Sequence, residues 1–201
     1  MLFVWRGEGP ESAAGEQRVD LQGAGEELPG WWASGGGLAL QALIPYVSQP
    51  GRDLELHTLL AAGPGAALPA LAALVLGFGT VTLASSDRDR QAFLAACDAR
   101  NQNTGIVRTL DALDEAPKKP GFHLALLGCG ETTPPLALCA GLAARVRAEG
   151  LMVIFGVPRG GLGSFFHDLA KQGFSLRGCG FHGGLAFLSG SPLPARIPAV
   201  K

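Results

Sequence analysis

A short glycine-containing segment, Gly63-Pro64-Gly65, stands where an apolar strand-like run meets an Ala-rich helix-like run. Glycines at such a junction let the backbone approach a ligand closely, and the N-terminus of the following helix favours an anionic group. The same three residues also suit a simple turn between two elements. The sequence therefore leaves two interpretations open, a cradle for a nucleotide cofactor and a turn that holds no ligand.

Other residues that carry chemistry form no recognisable motif. The four histidines, His57, His123, His167 and His182, have no cysteine or carboxylate at zinc-ligand spacing, so we predict no metal site and expect core or surface histidines. The chain has no G-x-S-x-G nucleophile elbow, and Ser164 is expected to be a helix N-cap. The segment 158–164 lacks the Lys-Ser/Thr ending of a P-loop.

The segments that position the 63–65 loop alternate between strand-like and helix-like patterns. Strands are predicted at 53–61, 80–85, 105–110, 122–128, 151–157, 174–180 and 183–190, and helices at 38–48, 66–75, 90–101, 134–150 and 163–173. The central strands are apolar nearly throughout, which is typical of parallel strands covered on both faces. The last two strands follow one another without a helix, so they are predicted to pair antiparallel. This alternation predicts an α/β sheet.

The length and composition predict one domain with two flanking segments. A chain of 201 residues suffices for one sizeable core and is short for two. Residues 1–37 are expected to form an N-terminal β-hairpin or flap, built from the runs 2–8 and 17–23. Residues 38–190 are expected to form the main domain, and residues 191–201 a tail or linker.

Five β/α units followed by an antiparallel strand pair resemble the class I S-adenosylmethionine-dependent methyltransferases. The segment "PGWWASGG" at 29–36 is similar to the entry segment of small methyltransferases that modify a guanine amine in small-subunit ribosomal RNA, and "ARNQN" at 99–103 is more loosely similar. The resemblance implies a Rossmann-like, mostly parallel seven-stranded sheet with an antiparallel C-terminal pair and helices on both faces. It also implies S-adenosylmethionine as cofactor and ribosomal RNA as partner.

The first cofactor loop of that family reads acidic-x-Gly-x-Gly-x-Gly. Its glycines let the backbone approach the cofactor, and its acid meets the amino group of the methionine part. Aligning the last two glycines with Gly63 and Gly65 puts Ala61 at the first glycine and Leu59 at the acid. Half of the motif is therefore present.

The resemblance assigns two further cofactor positions to the next two strands. Ser85 falls at the acid that binds both ribose hydroxyls, with Asp87 two residues later, and Asp111-Ala112 matches the motif that meets the adenine amine. A serine is a poorer bidentate acceptor than a carboxylate. The alternative for Asp87 is a solvated turn with an N-cap, and the alternative for Asp111 is a helix N-cap.

The fourth strand of the family carries Asn-Pro-Pro-aromatic, which positions the target amine against the methyl group. Here the motif position reads Gly128-Cys129-Gly130-Glu131, without the Asn, the Pro-Pro or the aromatic residue. We therefore assign no catalytic residue, and Glu131 is expected to cap a helix or to be solvated. The chain resembles the degenerate amino-terminal half of two-domain ribosomal RNA guanine methyltransferases, which implies a second methyltransferase domain or a second copy as partner.

Two functions follow from this resemblance. The first is a methyltransferase that binds S-adenosylmethionine, and the second is a non-catalytic methyltransferase-like module that binds RNA or protein. A modest basic edge for RNA phosphates is formed by Arg88, Arg90, Arg100, Arg108, Lys118 and Lys119, unless these are ordinary solvated residues. Trp31 and Trp32 are expected to stack on a base or partner, or to be buried at the rim. A nicotinamide-binding protein is disfavoured because the full G-x-G-x-x-G is missing.

The overall composition favours a protein of the cytoplasm. The net charge of −1 and the 16% of charged residues give no general attraction to nucleic acid or anionic membranes. The most apolar run, at 68–78, is shorter than the roughly 20 residues of a membrane span. Four cysteines, Cys97, Cys129, Cys139 and Cys179, form no C-x-x-C pair, and we expect reduced thiols and no secretory signal.

Overall fold

The fold is described here from a computed structural model, which covers residues 2–5, 17–20, 39, 43–44, 46–99, 106–130, 132–182 and 184–192. Trp31, Trp32, Arg100 and Glu131 lie outside these ranges, as do the segment 29–36 and residues 193–201. The predictions made for them stay predictions.

This part of the chain contains nine strands, four α-helices whose bounds follow, and further helical residues at 39, 43–44 and 46–47, inside the helix predicted at 38–48. The strands are β1 Leu2–Trp5, β2 Gln17–Asp20, β3 Thr58–Ala62, β4 Thr80–Ala84, β5 Ile106–Leu110, β6 Phe122–Gly128, β7 Val146–Pro158, β8 Phe174–His182 and β9 Leu185–Pro192. The helices are α1 Ala67–Val75, α2 Asp87–Ala99, α3 Leu136–Ala143 and α4 Leu162–Lys171, with 3-10 turns at Leu54–Leu56 and Leu113–Glu115. None of these helices is long and apolar enough to cross a bilayer.

Seven strands form one sheet in the order β5-β4-β3-β6-β7-β9-β8. The pairs from β5 to β7 are parallel, whereas β9 is antiparallel to both β7 and β8. This arrangement confirms the predicted mostly parallel sheet with an antiparallel C-terminal pair. The strands β1 and β2 form a separate antiparallel pair, and β9 extends to Pro192, two residues into the range expected to be a tail.

Alternating side chains of the sheet supply two cores, one on each face. Leu59 and Ala61 of β3 pack on the face that carries α1 and α2, whereas Leu60 and Ala62 pack on the face that carries α3 and α4. Both sets are apolar because helices cover both faces, which is why the central strands show no polar alternation. The prediction of helices on both faces is confirmed.

Helix α1 is buried along nearly its whole length and ends in a glycine-based stop. Residues 67–74 are all buried, so its Ala- and Leu-rich sequence faces protein on every side. The N–H of Gly77, which has a φ of 95°, bonds the Leu74 carbonyl at 3.0 Å, and the N–H of Phe78 bonds the Ala73 carbonyl at 3.0 Å. This pair of bonds is a Schellman motif, and it turns the chain toward β4.

The predicted helix 134–150 is wrong beyond Ala143, where α3 ends and the chain soon enters β7. Arg145 is 4% exposed, and its guanidinium donates to the carbonyls of Gly141 at 2.5 Å and Ala116 at 3.4 Å. These bonds close the last turn of α3, and Val146 then pairs with Phe122 of β6. A buried charged residue with backbone partners therefore fixes the boundary.

Two helix starts also differ from the prediction. Helix α2 begins at Asp87 instead of residue 90, and the Ser86 hydroxyl accepts a bond from the Asp89 N–H at 3.4 Å. Helix α4 begins at Leu162 after Gly161, so Ser164 is not the N-cap; its hydroxyl donates to the Gly161 carbonyl at 2.8 Å.

Candidate functional site

The predicted cofactor positions meet at the carboxyl edge of the sheet. Ala62 pairs with Ala84 and with Leu127, and Ala84 pairs with Leu110, so the loops after β3, β4, β5 and β6 lie side by side. The strand order reverses between β3 and β6, and α/β proteins bind ligands in the crevice at such a point. This edge is therefore the candidate site.

The loop Gly63-Pro64-Gly65 packs closely on the end of β6. Both glycines have left-handed backbones, with φ of 82° and 76°. A Cβ on Gly63 would stand 2.3 Å from the Gly128 carbonyl oxygen, and a Cβ on Gly128 would stand 1.8 Å from the Pro64 carbonyl oxygen. The Gly63 N–H bonds the Ala84 carbonyl at 3.2 Å. Packing between this loop and β6 therefore accounts for Gly63 and Gly128 without a ligand.

The positions of the acid and the first glycine of the family motif lie inside the core. Leu59, the second residue of β3, is fully buried between Val81 of β4 and Leu124 of β6. Ala61 is also fully buried. Neither side chain offers a charge or a hydrogen bond to the amino group of a ligand.

Ser85 is committed to a partner in helix α2, which begins two residues later. Its side chain is buried, with 7% exposed, and its hydroxyl donates to the carboxylate of Asp89 at 3.0 Å. The Ser85 N–H bonds the Leu110 carbonyl at 3.3 Å. The hydroxyl expected at the ribose thus stabilises the start of α2.

One guanidinium joins the two acids that the sequence assigns to the cofactor. Arg90 forms ion pairs with Asp87 and with Asp111, and only 15% of its side chain is exposed. The two carboxylate side chains are 82% and 76% exposed. Both acids therefore share one cation, which leaves a net charge of about −1 on the three groups. Ala112 is an exposed residue in the loop that follows.

The end of β6 binds its own loop. The Cys129 carbonyl accepts bonds from the Thr132 hydroxyl at 2.6 Å and from the Thr132 N–H at 3.1 Å, and the Cys129 N–H bonds the Phe155 carbonyl at 3.0 Å. Burial raises the pKa of the Cys129 thiol far above its ordinary value, so this thiol stays protonated. Gly130, at a φ of 55°, lies against Pro64. The family role of accepting a bond from a substrate amine has no candidate among the described residues of this loop.

Sequence reasoning missed Asp89, Thr132 and the double pairing of Arg90. The i,i+3 spacing of Asp87 and Arg90 in "DRDR" is a readable signal for one half of that pairing. The other half depends on the loop after β5 and has no local signal.

A second polar cluster lies at the opposite, amino edge of the sheet. The rings of His57 and His123 stack at 4.3 Å with an interplanar angle of 3°. The Tyr46 hydroxyl lies 2.9 Å from His57 Nδ1, and the Thr58 N–H donates to His123 Nδ1 at 3.1 Å. The described residues contain no group of three or more His, Cys, Asp or Glu suited to a metal ion. The two histidines are therefore held by hydrogen bonds and stacking.

This stack makes stability depend on pH. Burial and the Arg147 charge lower the pKa of His123 from 6.5 to about 4, and burial and Arg52 lower that of His57. The folded state therefore binds fewer protons than the unfolded state, and the stabilisation is complete above about pH 6.5 and lost as the pH falls toward about 4. We expect the free energy of unfolding to drop by roughly 1–2 kcal/mol over this range, after discounting for partial exposure.

Urea denaturation of His123→Asn and the wild type measures this drop, because the asparagine oxygen can still accept the Thr58 N–H. In His123→Asn the free energy of unfolding should lose the part of its pH dependence that belongs to His123. The control His167→Asn, at an exposed position, should keep the wild-type pH dependence. Equal pH profiles of all three proteins would contradict the assignment.

Comparison with known proteins adds structural relatives but no sequence family. No protein-family model and no curated protein matches the chain. The ribosomal protein L11 methylase of Lactobacillus delbrueckii subsp. bulgaricus has a TM-score of 0.62 at 19% identity, over 78% of this chain and 79% of that chain. A putative RNA methyltransferase of Pyrococcus horikoshii has a TM-score of 0.58 at 10% identity, over 79% and 83%. The putative methyltransferase yhhF of Escherichia coli has a TM-score of 0.52 at 14% identity, over 79% of this chain and 84% of that chain.

The chain has the Rossmann-like fold of the class I methyltransferases. At these identities the likeness shows the fold, and activity has to be argued from the site.

Proposed function

We propose that this chain is a methyltransferase-like protein of the ribosomal RNA guanine type whose cofactor and catalytic site is eroded, and that it acts as a non-catalytic RNA-binding module. One observation carries the proposal: the polar groups of the carboxyl edge are bound to one another. Arg90 forms ion pairs with both Asp87 and Asp111, and Ser85 donates to Asp89. An edge whose acceptors are satisfied internally has lost the features that hold a cofactor.

S-adenosylmethionine does not fit these residues. Its ribose hydroxyls and adenine amine are donors that need carboxylate or amide acceptors, and its ammonium group needs an acid. The exposed carboxylates here pair with a cation, and the acid position is the buried Leu59. No methyl-transfer step is therefore derived for this chain.

Calorimetry with S-adenosylmethionine and S-adenosylhomocysteine tests this part of the proposal. We expect no saturable heat up to about 1 mM ligand, which corresponds to less than about 4 kcal/mol of binding free energy. Arg90→Ala should change the free energy of unfolding by less than about 1 kcal/mol, because both carboxylates are exposed, and should not create binding. Micromolar binding by the wild type, or methylation of unmodified ribosomal RNA, contradicts the proposal.

The RNA-binding part is supported by four exposed cations of α2, of β5 and of the segment that joins β5 to β6. Arg88, Arg108, Lys118 and Lys119 are exposed, and such side chains contact phosphates without reading bases. In fluorescence anisotropy with a small-subunit ribosomal RNA fragment, Arg108→Gln with Lys118→Gln should weaken binding and reduce the salt slope by about one per lost contact. Lys171→Gln, an exposed lysine of α4, is the control. Equal binding by all three proteins contradicts RNA binding through Arg108 and Lys118.

A further inference from the structure

The amino-edge cluster borders a cavity that the methyltransferase fold does not account for. It has a volume of about 320 Å³ and is lined by Tyr46, Arg52, His57, His123 and Glu149 among others. It lies at the starts of β3 and β6, away from the loops of the candidate cofactor site. Its volume is near the lower limit for small-molecule sites, which is roughly 300 Å³, so it suits a compact ligand.

We propose that this amino-edge cavity binds a small oxyanion of the phosphate class, held by the Arg52 guanidinium and by the ring nitrogens of His57 and His123. Guanidinium and imidazole N–H groups are the donors that recognise phosphate oxygens. The site is independent of the function proposed above, because it shares no residue with the carboxyl edge or with the cations proposed to contact RNA.

The hydrogen bonds of the histidines use the Nδ1 atom of each ring and leave Nε2 for such a ligand. Since the Thr58 N–H donates to His123 Nδ1, that nitrogen is an acceptor, and the ring proton of the neutral histidine is on Nε2. His57 uses its Nδ1 for the Tyr46 hydroxyl. In both rings it is Nε2 that remains for a ligand in the cavity, and the stack holds the two rings parallel.

The charges around the cavity balance while the histidines are neutral and favour an anion once a ring takes up a proton. Arg52 lies over the Tyr46 ring at 3.8 Å, which holds its guanidinium at the cavity wall, and Arg147 acts electrostatically on both histidines. The opposing carboxylates are Glu149, which lines the cavity, and Asp53, which acts on His57. Two permanent cations and two titratable rings therefore face two carboxylates.

An anion bound here also changes the protonation of the rings. The two arginines and burial keep the histidines neutral by lowering their pKa values. A dianion beside the Nε2 atoms of the stacked rings reverses this effect, so binding takes up a proton and tightens as the pH falls. This coupling separates the site from a surface patch of lysines and arginines, whose affinity barely changes in this pH range.

Calorimetry with sulfate tests the proposal, because sulfate stays a dianion over the whole range while inorganic phosphate does not. We expect saturable 1:1 binding by the wild-type chain that tightens several-fold between about pH 8 and about pH 5.5, near the ordinary histidine pKa. Arg52→Gln should weaken binding about tenfold, which is about 1.4 kcal/mol. The matched control is Arg159→Gln, because Arg159 also stacks on an aromatic ring, Phe181, at 4.8 Å.

A second readout on the wild-type protein keeps the test valid if a variant folds poorly. Titration with sulfate should shift the ring C–H NMR signals of His57 and His123 and leave that of the exposed His167 in place. Absence of saturable sulfate binding, equal affinity of Arg52→Gln and wild type, or unshifted His57 and His123 signals overturns the proposal.

Competition experiments then identify the source of the phosphate group. A nucleoside 5′-monophosphate that displaces sulfate identifies a small phosphate ester, and displacement by inorganic phosphate alone identifies the free anion. Displacement by an RNA oligonucleotide, lost in Arg52→Gln but retained in Arg108→Gln, identifies an RNA backbone phosphate. If none of them displaces bound sulfate, the phosphate assignment is overturned.

Discussion

Leu59→Asp is expected to destabilise the protein severely without restoring cofactor binding. Leu59 is fully buried in the central strand β3, with neighbours Val81 and Leu124 on the two adjoining strands. A carboxylate placed there has no cation and no water, and such burial costs about 4 kcal/mol or more. This is a large part of the roughly 5–15 kcal/mol that stabilises a domain.

The size of this loss separates two views of the position. If Leu59 simply replaces a cofactor acid at an accessible strand end, an aspartate should be tolerated and should strengthen S-adenosylmethionine binding. If the residue belongs to the core, the aspartate should lower the free energy of unfolding more than Leu59→Ala does, which is about 2–5 kcal/mol. The surrounding core residues favour the second result.

Urea denaturation followed by circular dichroism measures this loss. Leu56→Asp is the matched control, because Leu56 is 72% exposed and its change should stay within about 0.5 kcal/mol. Protonation of the new carboxyl removes the buried charge, so Leu59→Asp should lose less stability, relative to the wild type, as the pH falls. A folded variant with wild-type stability at neutral pH, or one that gains micromolar cofactor binding, would show that the core assignment is wrong.

The sheet was predictable because its signals are local and repeated. Runs such as 122–128 are apolar on both faces, and only a strand covered by helices on both sides buries all of them. No helix separates β8 from β9, and a connection this short allows only antiparallel pairing of the two strands. The α3 boundary was not predictable, because the segment 144–150 has helix-favouring residues and its pairing with β6 is a tertiary effect.

The sequence predicts which loops lie together at the candidate site, but it does not predict the hydrogen bonds and ion pairs among their side chains. Parallel strands bring their carboxyl ends to one edge, so Gly63, Ser85 and Asp111 had to lie near one another. Whether a carboxylate then faces a ligand or a cation depends on side-chain geometry across loops. Arg90 reaches Asp111 from another element of the chain, and no sequence pattern specifies that contact.

The amino-edge cluster escaped the sequence for a related reason. His57 and His123 precede or begin different strands and have no metal-ligand spacing, so each looked like an isolated residue. The parallel pairing of β3 with β6 brings them into a stack. Residues at the amino ends of strands are as strictly juxtaposed as those at the carboxyl ends.

Gly63→Ala and Gly128→Ala are each expected to destabilise the protein by about 2–4 kcal/mol. At Gly63 the added Cβ would stand 2.3 Å from the Gly128 carbonyl oxygen, and the left-handed backbone, with φ of 82°, adds its own strain. At Gly128 the added Cβ would stand 1.8 Å from the Pro64 carbonyl oxygen, and the backbone has no left-handed φ. Backbone atoms on both sides cannot move aside as a flexible side chain does.

Two control glycines resolve these contributions in the same urea experiment. Gly160→Ala has open space and an ordinary backbone, so its change should lie within about 0.5 kcal/mol, whereas Gly51→Ala, with φ of 73° and open space, should show the backbone strain alone. The loss at Gly63 beyond that at Gly51 measures the packing of the 63–65 loop on β6. A glycine kept for a cofactor would instead give an alanine variant of unchanged stability that fails to bind S-adenosylmethionine, and that result would reinstate the loop as a cofactor cradle.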